Sequence, residues 1–194
     1  MNKDWTGNTS LINGCNSRNI DSELNDYYAT DPIAVKKLLE VETFNQYVWE
    51  SACGEGHISK VLEEAGYNVV STDLIDRGYG QGNKDFLKHK VAGKNRNSMD
   101  IITNPPYKYA REFVEHALEI SMESVKIAMF LKLTFVSSKS RKELFEKFPP
   151  STIYVFSKRV ECGKNGEFKG KCGVDYAWFI WKKGYVGSTH VKWI

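Results

Sequence analysis

Asn104-Pro105-Pro106-Tyr107 joins a carboxamide, two prolines and an aromatic ring directly after the strand-like run Met99-Asp100-Ile101-Ile102-Thr103. Each proline fixes φ at about −65° and lacks an N–H, so the pair predicts a stiff elbow whose carbonyls are not absorbed by a helix or a ladder. A carboxamide oxygen beside a carbonyl can accept both hydrogens of a planar amine, and a neighbouring tyrosine offers a flat face to the ring that carries it. The same four residues also read as a strand end closed by a Pro-Pro turn. What the elbow does therefore depends on the groups the rest of the chain brings to it.

Glu50-Ser51-Ala52-Cys53-Gly54-Glu55-Gly56 sets an acid at the end of the run Tyr47-Val48-Trp49 and follows it with a G-x-G turn into a helical pattern. Such a turn lets backbone approach a ligand closely, as in dinucleotide sites, which add a third glycine and hold a pyrophosphate at the helix N-terminus. Here Ser59 takes the third position, and Glu50 would repel a phosphate but attract an ammonium. A nucleoside carrying an amino acid suits the pattern better than a dinucleotide. Asp73 ends the next strand-like run 23 residues after Glu50, near the ~20-residue interval at which a carboxylate meets ribose hydroxyls in nucleotide-binding α/β folds. Asp85-Phe86 then pairs a carboxylate with an aromatic, which suits an adenine amino group and ring. Taken singly, Asp73 reads equally as a loop cap and Asp85-Phe86 as a turn acid beside a core aromatic.

Strands and helices must alternate to bring these groups to one edge. Asp31-Pro32 opens a helix with Ile33, Val35, Leu38 and Leu39 on its apolar face, ending near Glu42. Further helices are expected over Ile58 to Ala65, Ala110 to Met122 and Arg141 to Phe148; strands over Tyr47–Trp49, Tyr67–Thr72, Asp100–Thr103 and Lys126–Leu131. Thr152–Phe156 and Tyr176–Trp181 are strand-like and joined by a glycine-rich loop, which predicts an antiparallel hairpin at the sheet edge. The pattern is α/β, a mostly parallel sheet with helices on both faces. Residues 1–26 read as an irregular N-terminal arm, leaving 27–194 as a single domain.

The chain has 194 residues, 41% of them hydrophobic and 26% charged, an ordinary globular composition with no apolar run of membrane-spanning length. Met1 to Trp5 lack the apolar segment of a secretory signal, so a cytoplasmic location is expected. Cys15, Cys53, Cys162 and Cys172 form no C-x-x-C pair and have no histidine at ligand spacing, which suggests free thiols and no metal. Net charge is +3, yet Lys132 to Lys183 holds 12 Lys or Arg against five acids. A basic C-terminal third fits a polyanion, though Lys-rich solvated faces are common.

Glu50 to Gly56, Asp73, Asp85-Phe86 and Asn104-Pro105-Pro106-Tyr107 resemble the successive motifs of S-adenosylmethionine-dependent amino-methyltransferases. Tyr28-Ala29-Thr30-Asp31-Pro32 resembles that family's extra cofactor segment ahead of the first strand. Asn25 to Pro32, Trp49 to His57 and Ser71 to Gly80 are similar to phage and prophage adenine-specific DNA methyltransferases, and the likeness covers roughly residues 25–183. Ala52 departs from it, standing where many relatives carry Phe or Pro. The resemblance implies a Rossmann-like class I methyltransferase fold with a mostly parallel seven-stranded sheet and an antiparallel C-terminal hairpin. It implies S-adenosylmethionine as cofactor, with Glu50, Cys53, Gly54 and Gly56 around the methionine end, Asp73 on the ribose, Asp85 and Phe86 at the adenine, and Tyr28, Thr30 and Pro32 closing over the methionine part. It also implies a phage or prophage origin in a bacterial host.

By the same resemblance Asn104, Pro105, Pro106 and Tyr107 are the catalytic elbow, with Asn104 also bordering the cofactor and Tyr107 stacking on a flipped base. Methylation of a cytosine ring carbon is disfavoured, because it needs a thiolate nucleophile, usually on a Pro-Cys step, and no proline precedes a cysteine here. Four substrates stay open: adenine in DNA, the cytosine amine in DNA, an amine in RNA, and a protein glutamine. The basic third favours nucleic acid and the likeness favours DNA adenine; a catalytically decayed nucleic-acid-binding module is the reading from another class. From Lys108 to Ile194 there are too few residues for a large target-recognition domain. Contacts are expected from the arm, from Thr134 to Lys142, and from the hairpin loop, with Lys158 and Arg159 at phosphate or base and Lys164, Lys169 and Lys171 at phosphate or solvent. A short recognition sequence, or a second subunit in a homo-oligomer, follows.

Overall fold

The computed structural model describes residues 28–90, 97–164, 168 and 173–194. The expected arm, Cys15, Cys172, Lys169, Lys171 and the Lys164 side chain lie outside them. In chain order the elements are β1 (Tyr28–Thr30), α1 (Pro32–Val41), β2 (Tyr47–Glu50), α2 (His57–Glu64), β3 (Asn68–Ser71), β4 (Asp100–Thr103), α3 (Ala110–Ile120), β5 (Lys126–Lys132), α4 (Lys139–Lys147), β6 (Thr152–Val155), β7 (Cys162–Lys164), β8 (Tyr176–Lys182) and β9 (His190–Trp193). Seven strands form one sheet in the order β3-β2-β4-β5-β8-β6-β9, and only β8 runs against the others. β1 and β7 pair antiparallel as a separate two-stranded ribbon.

The expected hairpin forms, with Tyr154 of β6 opposite Trp178 of β8. It does not lie at the edge. β5 flanks β8 along its whole length, from Lys126↔Lys182 to Lys132↔Tyr176, and β9 extends the sheet beyond β6. The physical reason is legible in burial: Tyr176 to Trp181 are all buried, as an unbroken apolar run requires when both faces of a strand are covered. Every residue of β9 is exposed, so it carries no buried period that a sequence would betray.

Alternate residues of the central strands feed two cores. Ile101, Ile127, Met129, Leu131, Phe179 and Trp181 face one way, packed with Phe113, Val114 and Ala117 of α3 and Leu144 of α4. Ile102, Ala128, Phe130, Trp178 and Ile180 face the other, packed with Val35 and Leu38 of α1 and Ile58 and Leu62 of α2. α1 begins as expected: Pro32 occupies its first turn and the Asp31 carboxylate accepts from the Ile33 N–H at 3.0 Å. Trp178 donates its indole N–H to the Ala34 carbonyl at 2.9 Å, fastening the helix to the sheet. At the amino ends of the strands, buried Asp100 accepts from the backbone of Asn45 (2.7 Å) and Lys126 (2.8 Å), which aligns β2, β4 and β5.

Candidate functional site

At the carboxyl end of β2 the chain turns sharply through Gly54 (φ +54°) and Gly56 (φ +81°) into α2. The left-handed region suits glycine, and at Gly56 space imposes the same choice, since a Cβ there would lie 2.4 Å from the Tyr79 ring. Glu50 is 1% exposed. Its carboxylate accepts from the Ser59 N–H at 2.8 Å and from the Ser59 hydroxyl, so it sits against the first turn of α2. Burial nevertheless pushes its pKa well above the ordinary value, more than those two bonds lower it. Asp73 holds the turn from the other side, accepting from the Gly54 N–H at 2.8 Å and the Ile75 N–H at 2.9 Å. Burial raises the Cys53 thiol to about 12, so it packs as a neutral side chain.

Asp85 caps the short 3₁₀ turn Phe86–Lys88 through the Leu87 N–H at 3.1 Å and pairs with Lys88. Phe86 is 3% exposed, with Phe113 at 4.8 Å, His116 at 5.1 Å and Trp49 at 5.2 Å between ring centroids. Its ring packs in the core, so any contact with an adenine would be through the small part left exposed.

The elbow follows β4. The Pro106 carbonyl accepts from the Tyr109 N–H at 2.9 Å, closing the 3₁₀ turn Tyr107–Tyr109. This corrects the expectation that both proline carbonyls stay available: of the two, the Pro105 carbonyl alone has no donor among the described residues. Asn104 donates its Nδ2 to the Tyr28 carbonyl at 2.8 Å and to Cys162 Sγ at 3.4 Å, while its Oδ1 is buried and has no partner among the described residues. The Tyr107 hydroxyl lies 3.0 Å from the same sulfur. The Tyr107 ring is flanked by Tyr28 (5.9 Å) and Tyr176 (6.0 Å), and Lys132 Nζ stands 4.9 Å from its centroid. Burial pushes its hydroxyl well above the ordinary tyrosine range. The β1–β7 ribbon, with Thr30 opposite Cys162, thus lies against the elbow.

The structure therefore brings Tyr28, Cys162, Asn104 and Tyr107 together, and separately Glu50, Gly54 and Asp73. Cys162 escaped the sequence reading because it sits in a three-residue strand inside a glycine-rich loop. Lys158 is exposed, and Arg159 pairs with Asp175 at 2.7 Å near the base of that loop. A cavity lined by Asn45, Gln46, Tyr47, Asn97, Ser98 and Met99 opens at the opposite end of the sheet.

No protein-family model matches the chain, and no curated protein is significantly similar to it in sequence. Solved structures do share its architecture. A candidate class I S-adenosylmethionine-dependent methyltransferase from Listeria monocytogenes superposes with a TM-score of 0.56 at 12% identity, over 84% of this chain and 64% of that one. A candidate hemolysin from Lactococcus lactis gives 0.57 at 12% identity, over 81% and 91%. The modification subunit of a candidate type I restriction enzyme from Vibrio vulnificus YJ016 gives 0.55 at 14% identity, over 84% and 45%. The chain thus spans less than two thirds of the first and third of these proteins. It has a Rossmann-like methyltransferase fold.

In open α/β sheets ligands sit at the carboxyl ends of the strands, where the order of winding reverses. Here the chain passes from β2 outward to β3 and then crosses back to β4, so the reversal lies between β2 and β4. Glu50 and Ser51 close one of these strands, Thr103 and Asn104 the other. Four buried polar atoms in this region have no partner among the described residues: Thr30 Oγ1, Ser51 Oγ, Thr103 Oγ1 and Asn104 Oδ1. Buried polar groups are nearly always hydrogen-bonded, so these four, on β1 and at the carboxyl ends of β2 and β4, could take bonds from a polar ligand at the switch point. A compound with an ammonium, a carboxylate and ribose hydroxyls supplies donors and acceptors of the kinds these atoms and the carboxylates of Glu50 and Asp73 lack.

Proposed function

We propose that the chain is an S-adenosylmethionine-dependent methyltransferase acting on the exocyclic N-6 amine of adenine in DNA. One observation carries the reading above the rest: the Asn104 carboxamide is fixed through its nitrogen to the Tyr28 carbonyl, and neither its buried oxygen nor the carbonyl of the next residue, Pro105, has a donor among the described residues. An acceptor pair of this kind fits the two hydrogens of a planar amine. When bound, S-adenosylmethionine supplies an electrophilic methyl group on a sulfonium. Glu50 holds its ammonium directly or through water, Asp73 its ribose hydroxyls and Asp85 its adenine amine, while Tyr28, Thr30 and Pro32 cover the methionine part. A carboxylate offers about four acceptor sites, so the bonds Glu50 and Asp73 already accept leave capacity for a ligand.

An adenine amine is a weak nucleophile because its lone pair is delocalised into the ring. With both hydrogens held by Asn104 Oδ1 and the Pro105 carbonyl, the nitrogen is drawn toward tetrahedral geometry and its lone pair is presented on the opposite side. After transfer the charged nitrogen is acidic and releases its proton to water, so the residues need supply no strong base. Tyr107 forms an aromatic wall for the flipped base, Pro106 fixes the elbow, and Lys158 and Arg159 meet the backbone or a base edge. DNA rests on the basic C-terminal third and the motif likeness.

Incubation with methyl-labelled cofactor and DNA, RNA or a protein extract tests this. The expected result is label in DNA adenine that disappears with Asn104→Ala. Label confined to RNA or protein moves the substrate, and label nowhere leaves a binding module.

A further inference from the structure

A carboxamide has two ends of nearly the same shape, and the Asn104 side chain is useful to an amine only if its oxygen is the end that faces it. Which end that is follows from the partners rather than from shape. The Tyr28 carbonyl can only accept, so the amide atom 2.8 Å from it must be the nitrogen. That bond uses one of the two Nδ2 hydrogens. The other has Cys162 Sγ at 3.4 Å.

Both acceptors come from the β1–β7 ribbon, which lies outside the main sheet, and the pairing Thr30↔Cys162 holds them in register. The sulfur is itself oriented, because the Tyr107 hydroxyl stands 3.0 Å away on the same elbow. Asn104 and Tyr107 are therefore bridged by one thiol across the two prolines. With both amide hydrogens taken, Oδ1 is the end left buried without a partner among the described residues. Resting on the methyltransferase reading above, we infer that Cys162 is a positioning residue: together with the Tyr28 carbonyl it locks the Asn104 amide so that its oxygen meets the substrate amine. It need not touch the substrate, the cofactor or the reacting atoms to do so.

The test uses the full chain labelled with ¹⁵N, comparing wild type with Cys162→Ala and Cys162→Ser. The Asn104 side-chain NH₂ correlation is assigned by its loss in Asn104→Asp. Losing a hydrogen bond worth about 1 kcal/mol speeds exchange of those hydrogens and lowers kcat by about fivefold in Cys162→Ala. KM for the cofactor stays near wild type, and the melting temperature falls by only about 2–4 °C. Cys162→Ser, which keeps a small acceptor and donor, restores both readouts most of the way. The inference is overturned if Cys162→Ala leaves the exchange rate unchanged, or if serine and alanine lower kcat alike, as a simple packing role would. Should the wild-type protein methylate nothing, the methyltransferase reading fails by itself. Exchange that is slower in wild type and serine than in alanine still shows that Cys162 holds the amide.

Discussion

A buried carboxylate is costly unless something in the fold or a ligand offsets it, and Glu50 is 1% exposed with its pKa raised above the ordinary 4.5, chiefly by burial. A carboxyl more easily protonated in the folded chain gives stability that is full below its unfolded value and is lost as pH rises toward its folded one. Glu50→Gln keeps an acceptor for Ser59 and removes the titration. Its melting temperature should exceed that of wild type at pH 7 to 8, with the gap closing as pH falls toward 4.5, while cofactor binding by calorimetry is lost. A variant less stable than wild type across that range would show the charge to be compensated within the fold. The glycines permit a paired comparison: Gly56 and Gly66 both have positive φ, but a Cβ at Gly56 meets the Tyr79 ring at 2.4 Å, whereas nothing lies within 4 Å at Gly66. Gly66→Ala should cost about 1–2 kcal/mol from backbone strain alone, and Gly56→Ala clearly more, read from denaturant midpoints. Acids, glycines and the elbow were legible in the sequence because type and spacing name them. The core packing of Phe86 was not legible, since an aromatic after an acid looks the same whether it lines a ligand site or fills a core.

Among the elements, legibility tracked burial. β5 and β8 announce themselves as unbroken apolar runs, because interior strands are covered on both faces. β1 and β7 have three residues each, too few for any period. What they do depends on tertiary pairing, and with them the contact between ribbon and elbow stayed hidden. Trp178 shows how an interior strand positions the site at a distance. It is fully buried and donates to the Ala34 carbonyl at 2.9 Å, so it holds α1, whose first residue Pro32 follows directly on β1 and the cap Asp31. Trp178→Ala should cost about 3–5 kcal/mol, as large-to-small changes in a core do, and calorimetry of the folded variant should show weakened cofactor binding as well. Full retention of affinity in a destabilised but folded variant would separate α1 from the site.

At the scale of the whole molecule, net charge of +3 hides a stretch, Lys132 to Lys183, with 12 basic residues against five acids. Several of those bases already have partners in the structure: Arg159 pairs with Asp175 at 2.7 Å and Lys142 with Glu146 at 3.2 Å. Exposed pairs of this kind are worth only about 0–1 kcal/mol, so a phosphate can displace the acid, but each exchange returns less than a cation held by water alone. Lys158 is exposed one residue before Arg159, close in sequence to the ribbon that lies on the elbow. If the proposed DNA substrate crosses this face, Lys158→Ala should weaken binding about equally for all sequences and lower the slope of log K against log salt by about one. Arg159→Ala should change that slope less, because part of its charge is already neutralised by Asp175. Fluorescence anisotropy on a short duplex between 50 and 200 mM salt, roughly the range in which such slopes are read, measures both. An unchanged slope in Lys158→Ala, with binding intact, would move the phosphate track away from the hairpin loop and onto Lys139 and Arg141 at the start of α4.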